Sequence, residues 1–222
     1  MQFLAHDFLK AKQRAERATH DPNLAIRVHR ALSWLSRAET CEDLDGEFIF
    51  LWISFNAAYA QDLGDKSAKS TKETYRAFLI KLLAFDHDKR LYNLVWSEFT
   101  SSIRLLLSNR YVFQPYWDYE NGMLDESTWL SRFNDSKTLA NKALSNNDTV
   151  TIIGLVLDRL YTLRNQLIHG GATWDGKVNR LQLTDGKNFL GKLVPILILL
   201  MLDNSKGLWG KPCYPVTGNS NL

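Results

Sequence analysis

Cysteine is scarce in this chain, with Cys41 and Cys213 the two in 222 residues. They lie far apart and outside any Cys-x-x-Cys pairing, which leaves no basis for a disulfide framework or a cysteine-built zinc site and suits a reducing compartment. The histidines at positions 6, 20, 29, 87 and 169 show no ligand spacing, so neither a metal nor a cofactor is expected. Long hydrophobic runs are missing too. The longest, Leu193 to Leu202, follows Lys192 and is too short to cross a bilayer. His6 and Asp7 stand where a secretory signal needs an apolar stretch. Together these absences lead us to expect a soluble, cytoplasmic protein with no membrane partner. Repeats and low-complexity tracts are absent, and the alternation that marks half-buried strands is nearly so. The net charge of +3 permits nucleic acid as a partner without requiring it.

What is present is helical periodicity over a 45% hydrophobic composition, enough to bury a full core in one domain spanning 1–222. An amphipathic helix is expected from Phe3 to Arg17. Asp21-Pro22 opens a second, since Asp caps and Pro fits the first turn, and Ile26, His29, Leu32 and Leu35 carry it to about Thr40. Glu47 to Gln61 is apolar all round, the mark of a helix at the centre of a bundle. Asp62 to Lys72 reads as a loop. One long or two shorter helices follow to about Leu107, broken near Asp86-His87-Asp88, which reads as a solvated turn. Residues 108–147 look irregular, with one helix near Ser127 to Ala143, and are expected to form an insertion or lid. A helix over Thr149 to His169, a connector with a short extended piece at Val178 to Leu183, a helix from Asn188 to Leu202 that Pro195 can kink, and a loose tail over 206–222 complete the reading.

The helix ending at His169 carries the chemistry. At about 100° per residue, Ile153, Val156, Leu160, Leu163 and Leu167 form a core stripe. A second face mixes Leu157, Tyr161 and Ile168 with Arg164, Asn165 and His169. A merely solvated face would not carry Leu, Tyr and Ile, so this one is expected to dock on another surface. Arg neutralises phosphate charge, His moves protons near neutral pH, and Asn orients a neighbour. The bland reading is a helix end: Gly170 stops the helix, and Arg164 and His169 favour the negative end of its dipole.

Arg164-Asn165 followed by His169, on a late helix of an all-α chain, resembles the HEPN superfamily, whose hallmark is Arg, often followed by Asn, and then His four to six positions later. The buried helix Phe48 to Tyr59, with Asn56 in an apolar surround, is similar as well. The resemblance is specific in the motif helix, moderate over 27–60 and weak elsewhere. It implies an all-α bundle whose protomers pair with both motifs facing one cleft. It also implies a metal-independent endoribonuclease of toxin, antiviral or RNA-processing systems, acting on single-stranded RNA, with a protein antitoxin or regulator as a further partner. Arg164 would then stabilise the scissile phosphate, and His169 would be general acid or base for attack by the 2′-hydroxyl. Asn165 would position His169 or the phosphate. A toxin branch of the family carries Tyr two residues after the His as a target for modification. That position here is Gly171, so such regulation is not implied. A non-catalytic RNA- or nucleotide-binding module and an interaction subunit of a hetero-complex remain the other readings.

Further candidates stand beside the motif. Glu47 and Asn56 are polar residues in an apolar helix, read either as support for Arg164 or His169 or as internal hydrogen bonding that fixes register. Tyr111, Phe113, Tyr116, Trp117 and Tyr119, with Arg110, can stack RNA bases or pack their segment onto the body. Asn179 and Arg180 lie close enough in sequence to reach the motif's mouth.

Overall fold

The computed structural model describes residues 5–60, 71–207 and 209–214, and among these there are ten α-helices and no strand. The protein is all-α. Local signals account for several helix starts. Asp21 accepts the amides of Asn23 and Leu24 and opens α2 (Pro22–Glu39), after α1 (His6–Glu16). Asp43 accepts the Gly46 amide at 2.7 Å, so α3 (Leu44–Tyr59) begins three residues before the expected Glu47. The expected loop over 62–72 falls mainly outside the described residues. After α4 (Thr71–Phe85), Asp86 is buried rather than solvated. Its two oxygens accept the amides of Arg90 and Leu91 at 2.8 and 2.7 Å, which starts α5 (Arg90–Asn93). A π-turn over Leu94–Glu98 leads into α6 (Thr100–Ser108).

Residues 108–147 are more regular than their sequence suggests. A 3-10 turn (Arg110–Val112), α7 (Gln114–Glu120) and α8 (Glu126–Ser145) occupy them. Aromatic packing holds this segment together: Tyr116 meets Trp129 edge-on at 5.2 Å, Tyr119 stacks on Trp129 and Phe113 packs on Phe133. Most of the rings considered for base stacking are therefore occupied with one another, and Tyr111 is the exposed one. α9 (Thr149–Ile168) follows, capped by Asp148 through the Thr151 amide and hydroxyl.

α10 (Arg180–Asp203) begins eight residues earlier than its apolar pattern, so Val178 to Leu183 contains no extended piece. It runs without a break through Pro195. From Leu193 to Leu202 every residue is buried, which makes α10, with α3, the centre of the core. Their approach is close: a Cβ on Gly186 would sit 2.6 Å from Leu160 Cδ2 and 3.2 Å from Phe48 Cε2, so a side chain there would displace the Leu160 and Phe48 side chains packed against α10. The start of the expected loose tail is docked instead. Trp209 is buried against Phe78 and Phe85, and Arg30 donates to the carbonyls of Cys213 and Tyr214. No described helix is long and apolar enough to cross a membrane.

Candidate functional site

α9 delivers the motif. Ile153, Val156, Leu160 and Leu163 are buried, as a core stripe requires, and Leu167 is half-buried against them. The second face departs from expectation along its length. Leu157, which the helical spacing places on the docking face, is fully buried, so it is not available to a partner. Tyr161 is half-buried, with its ring 6.1 Å from that of Trp52 on α3. The physical reason is cover from neighbouring helices: Tyr75 of α4 donates to Asp158, and Trp52 of α3 meets the Tyr161 ring. The face emerges only in the last turn, where Ile168 is 48% exposed and His169 is exposed beside it.

The polar residues divide in the same way. Arg164 is half-buried; its Nη1 donates to Asn165 Oδ1 at 2.9 Å, and its guanidinium lies 6.0 Å from the Tyr161 ring centroid. Its Nε is buried and has no hydrogen-bond partner. Asn165 thus orients Arg164 and not His169. Nearby, the buried Tyr59 phenol is pushed up to about 12 by burial, with Tyr161 and Cys213 adding to the rise and Arg164 opposing it. His169 is the C-cap, its amide returning to the Asn165 carbonyl. Gly170 follows at φ +72°, a conformation that favours glycine, and its amide bonds the Leu167 carbonyl.

A scaffold that was not anticipated holds this helix end. Gln166 donates to the Tyr111 carbonyl at 2.8 Å and accepts from Asn179 at 3.0 Å, which closes the two ends of the 167–178 stretch on each other. Trp117 donates to the same Tyr111 carbonyl. Arg180 binds both oxygens of Asp45 at 2.8 Å and Asp175 at 2.5 Å, while the Asp175 amide donates to Asp45. Asp45, at the start of α3, is buried. Asn179 therefore reaches the motif helix, whereas Arg180 ties its following loop to α3. The signal for Asp45 was slight: an acid in a first helical turn is read as dipole compensation.

The other expected supports lie elsewhere. Glu47 pairs with Lys187 of α10 at 3.4 Å, not with Arg164 or His169. Asn56 is half-buried, and in the apolar body of α3 Ser54 is buried instead and donates to the Ala31 carbonyl at 2.6 Å. A cavity of about 380 Å³ between α7, α8 and α9 is lined by Tyr161 but by none of Arg164, Asn165 and His169. Among the described residues, no three His, Cys, Asp or Glu side chains gather as a metal-binding group. No family model, curated protein or solved structure matches this chain.

Proposed function

We propose that this chain is a HEPN-type, metal-independent endoribonuclease that cuts single-stranded RNA and works as a homodimer. The observation that carries the reading is the Arg164–Asn165 hydrogen bond one turn before the exposed His169 at the C-cap. Oriented cation, orienting amide and proton-transfer group share the last turns of one helix. In the reaction the 2′-oxygen bonds to phosphorus and the bond to the 5′-oxygen breaks. One imidazole accepts the 2′-hydroxyl proton, and an imidazolium returns one to the leaving 5′-oxygen. Arg164 offsets the charge that grows on the phosphate. A 2′,3′-cyclic phosphate and a 5′-hydroxyl result, and the nucleophile is supplied by the RNA itself.

Pairing supports the chemistry. The His169 ring has no hydrogen-bond partner within the described chain, whereas a catalytic base is ordinarily oriented by another group. Ile168, Trp174, Val178 and Leu181 are 48%, 76%, 77% and 77% exposed within one short stretch beside the motif. A two-fold pairing through this stretch covers those side chains and brings two copies of Arg164 and His169 to one groove. The same unpartnered ring favours the second reading, an RNA- or nucleotide-binding module that does not cut.

Cleavage of single-stranded RNA in EDTA separates the two. Wild type is expected to cut, and His169→Ala is expected to lose about 10²–10⁴-fold in rate with helical content unchanged. Arg164→Ala should lose cleavage while folding normally. A folded His169→Ala variant that cuts like wild type removes His169 from the mechanism. Retained RNA binding with no cleavage by wild type establishes the binding module in its place.

A further inference from the structure

A second candidate place lies away from the motif helix. A cavity of about 410 Å³ lies between α1 and α2. Lys10, Arg14, Arg17, His20 and His29 line it, and no aspartate or glutamate does. The spacing explains the geometry. Lys10, Arg14 and Arg17 stand at i, i+4 and i+7, on one face of α1 and the 3-10 turn that continues it. Pro22, Ala25 and Ile26, from the first turns of α2, supply an apolar wall. His20 sits in the link between the helices.

No carboxylate lines the cavity beside Lys10 and Arg14. Lys10 donates to the neutral amide of Gln13 at 2.9 Å. Glu16, the nearby acid of α1, is engaged by Lys12 at 2.6 Å, and Lys12 also meets Asp203 at 3.0 Å. Burial, then Arg14 and Arg17, hold the Lys10 ammonium below its ordinary range. Burial, then Lys10, Arg17 and Arg30, do the same to the His29 imidazole. Burial is the larger cause of both depressions, and the gathered like charges add to it.

His20 is the independent sign of an occupant. Its side chain is 1% exposed, and both ring nitrogens are buried with no hydrogen-bond partner. The nearest carboxylate oxygen, Glu16 Oε2, stands 3.9 Å from Nε2, beyond hydrogen-bond reach. A buried polar ring left unmatched is costly, and native proteins rarely tolerate one. An anion lying among Lys10, Arg14 and His20 would satisfy it.

We propose that this cavity binds a small phosphate-bearing molecule of nucleotide size, with Lys10, Arg14 and His20 on the phosphate and the Pro22–Ala25–Ile26 wall against the ligand's less polar body. Several basic groups exceed what one carboxylate needs. The volume falls within the usual range for small-molecule sites and exceeds that of a bare phosphate. His20 lies beneath the surface, so the ligand must enter a recess and not lie along a groove, which distinguishes it from a nucleic-acid chain. The site stands whether or not Arg164 and His169 cut RNA.

Calorimetric titration of the full chain tests it, with adenosine monophosphate, pyrophosphate and adenosine as probes. The two phosphorylated probes are expected to bind, and adenosine to bind at least about tenfold more weakly, as loss of charge-assisted hydrogen bonds dictates. Lys10→Gln with Arg14→Gln, both away from the core, should weaken adenosine monophosphate by about tenfold or more with the thermal midpoint kept. The His20 ring resonances should shift on binding in a ¹H–¹⁵N spectrum. Absence of binding by both phosphorylated probes overturns the site, as does binding that the double variant leaves unchanged. Tighter binding of single-stranded RNA than of the mononucleotide, lost in the same variant, replaces it with a nucleic-acid surface.

Discussion

Arg27 and Arg159 are buried charges that meet the cost of burial in the same way. Arg27 donates through Nε and Nη2 to the Ala58 carbonyl at the end of α3 and lies over the Phe78 ring. Arg159 donates to Ser136 at 2.9 Å and sits 4.3 Å from the Phe113 ring centroid, which joins α9 to α8. Neither is met by a carboxylate, and burial lowers the pKa of both to about 10. Neither is singled out by the sequence: the buried line of α2 runs through Leu24, Arg27, Val28 and Ala31 and not through Ile26 and His29, and Arg159 is buried beside Ile152, Val156 and Leu163. A charge on an apolar stripe announces a partner without naming it, because carbonyls and rings leave no sequence pattern. Arg159→Ala should destabilise the fold by about 3–5 kcal/mol, whereas Arg159→Met, which refills the space and leaves no buried charge, should cost much less. Urea denaturation checks both, and equal losses would show that charge and not packing holds α8. Tyr59 allows a pH test. Its folded phenol is pushed up to about 12 from about 10 in the unfolded chain, so the fold favours the neutral form. The stability this gives, about 3 kcal/mol at most, is fully present below about pH 10 and lost as pH rises toward about 12. Tyr59→Phe should flatten the fall in stability between those values, and an unchanged slope would place the alkaline transition elsewhere.

At the level of elements, the helices that sequence reasoning located well are those with a side-chain cap or a long apolar period: α2 behind Asp21, α3 in its apolar body and α9 behind Asp148. Those it missed are held by tertiary contacts. α7 has seven residues, too few for a period to show, and stands because its aromatics pack on α8. The first turns of α10 are polar, and their N-cap, Asn179 at φ +58°, makes no capping bond. They are fixed by Arg180 on Asp45. The motif helix itself was legible in extent and in its core stripe. The burial of Leu157 was not, because a helical spacing gives the direction of a side chain and not what lies there. The Asp45–Arg180–Asp175 contacts make a prediction of their own. Asp45→Ala removes the shared acceptor and should cost about 1–3 kcal/mol, with the loss concentrated in the 170–179 loop. Hydrogen exchange there should quicken while exchange in the middle of α10 does not. Uniform acceleration would mean that Asp45 supports the whole fold and not the loop.

For the whole molecule, the decisive property is which surface is left uncovered. Most of α9 is enclosed within its own chain, so the proposed pairing is confined to Ile168 and the loop beyond it. Ile168→Asp is expected to convert a dimer to a monomer in sedimentation and to abolish cleavage, although no acid–base group is altered; a monomeric variant that cuts as well as wild type would refute a shared groove. The central proposal, attack by the RNA's own 2′-hydroxyl under Arg164 and His169, is tested most directly by one comparison. A single-stranded oligonucleotide is offered to wild-type protein in EDTA, once as RNA and once with every 2′-hydroxyl replaced by hydrogen, and the product ends are determined. The RNA should be cut to 2′,3′-cyclic phosphate and 5′-hydroxyl ends and the deoxy strand left intact. Cutting of both strands, or RNA products ending in 3′-hydroxyl and 5′-phosphate, would contradict it.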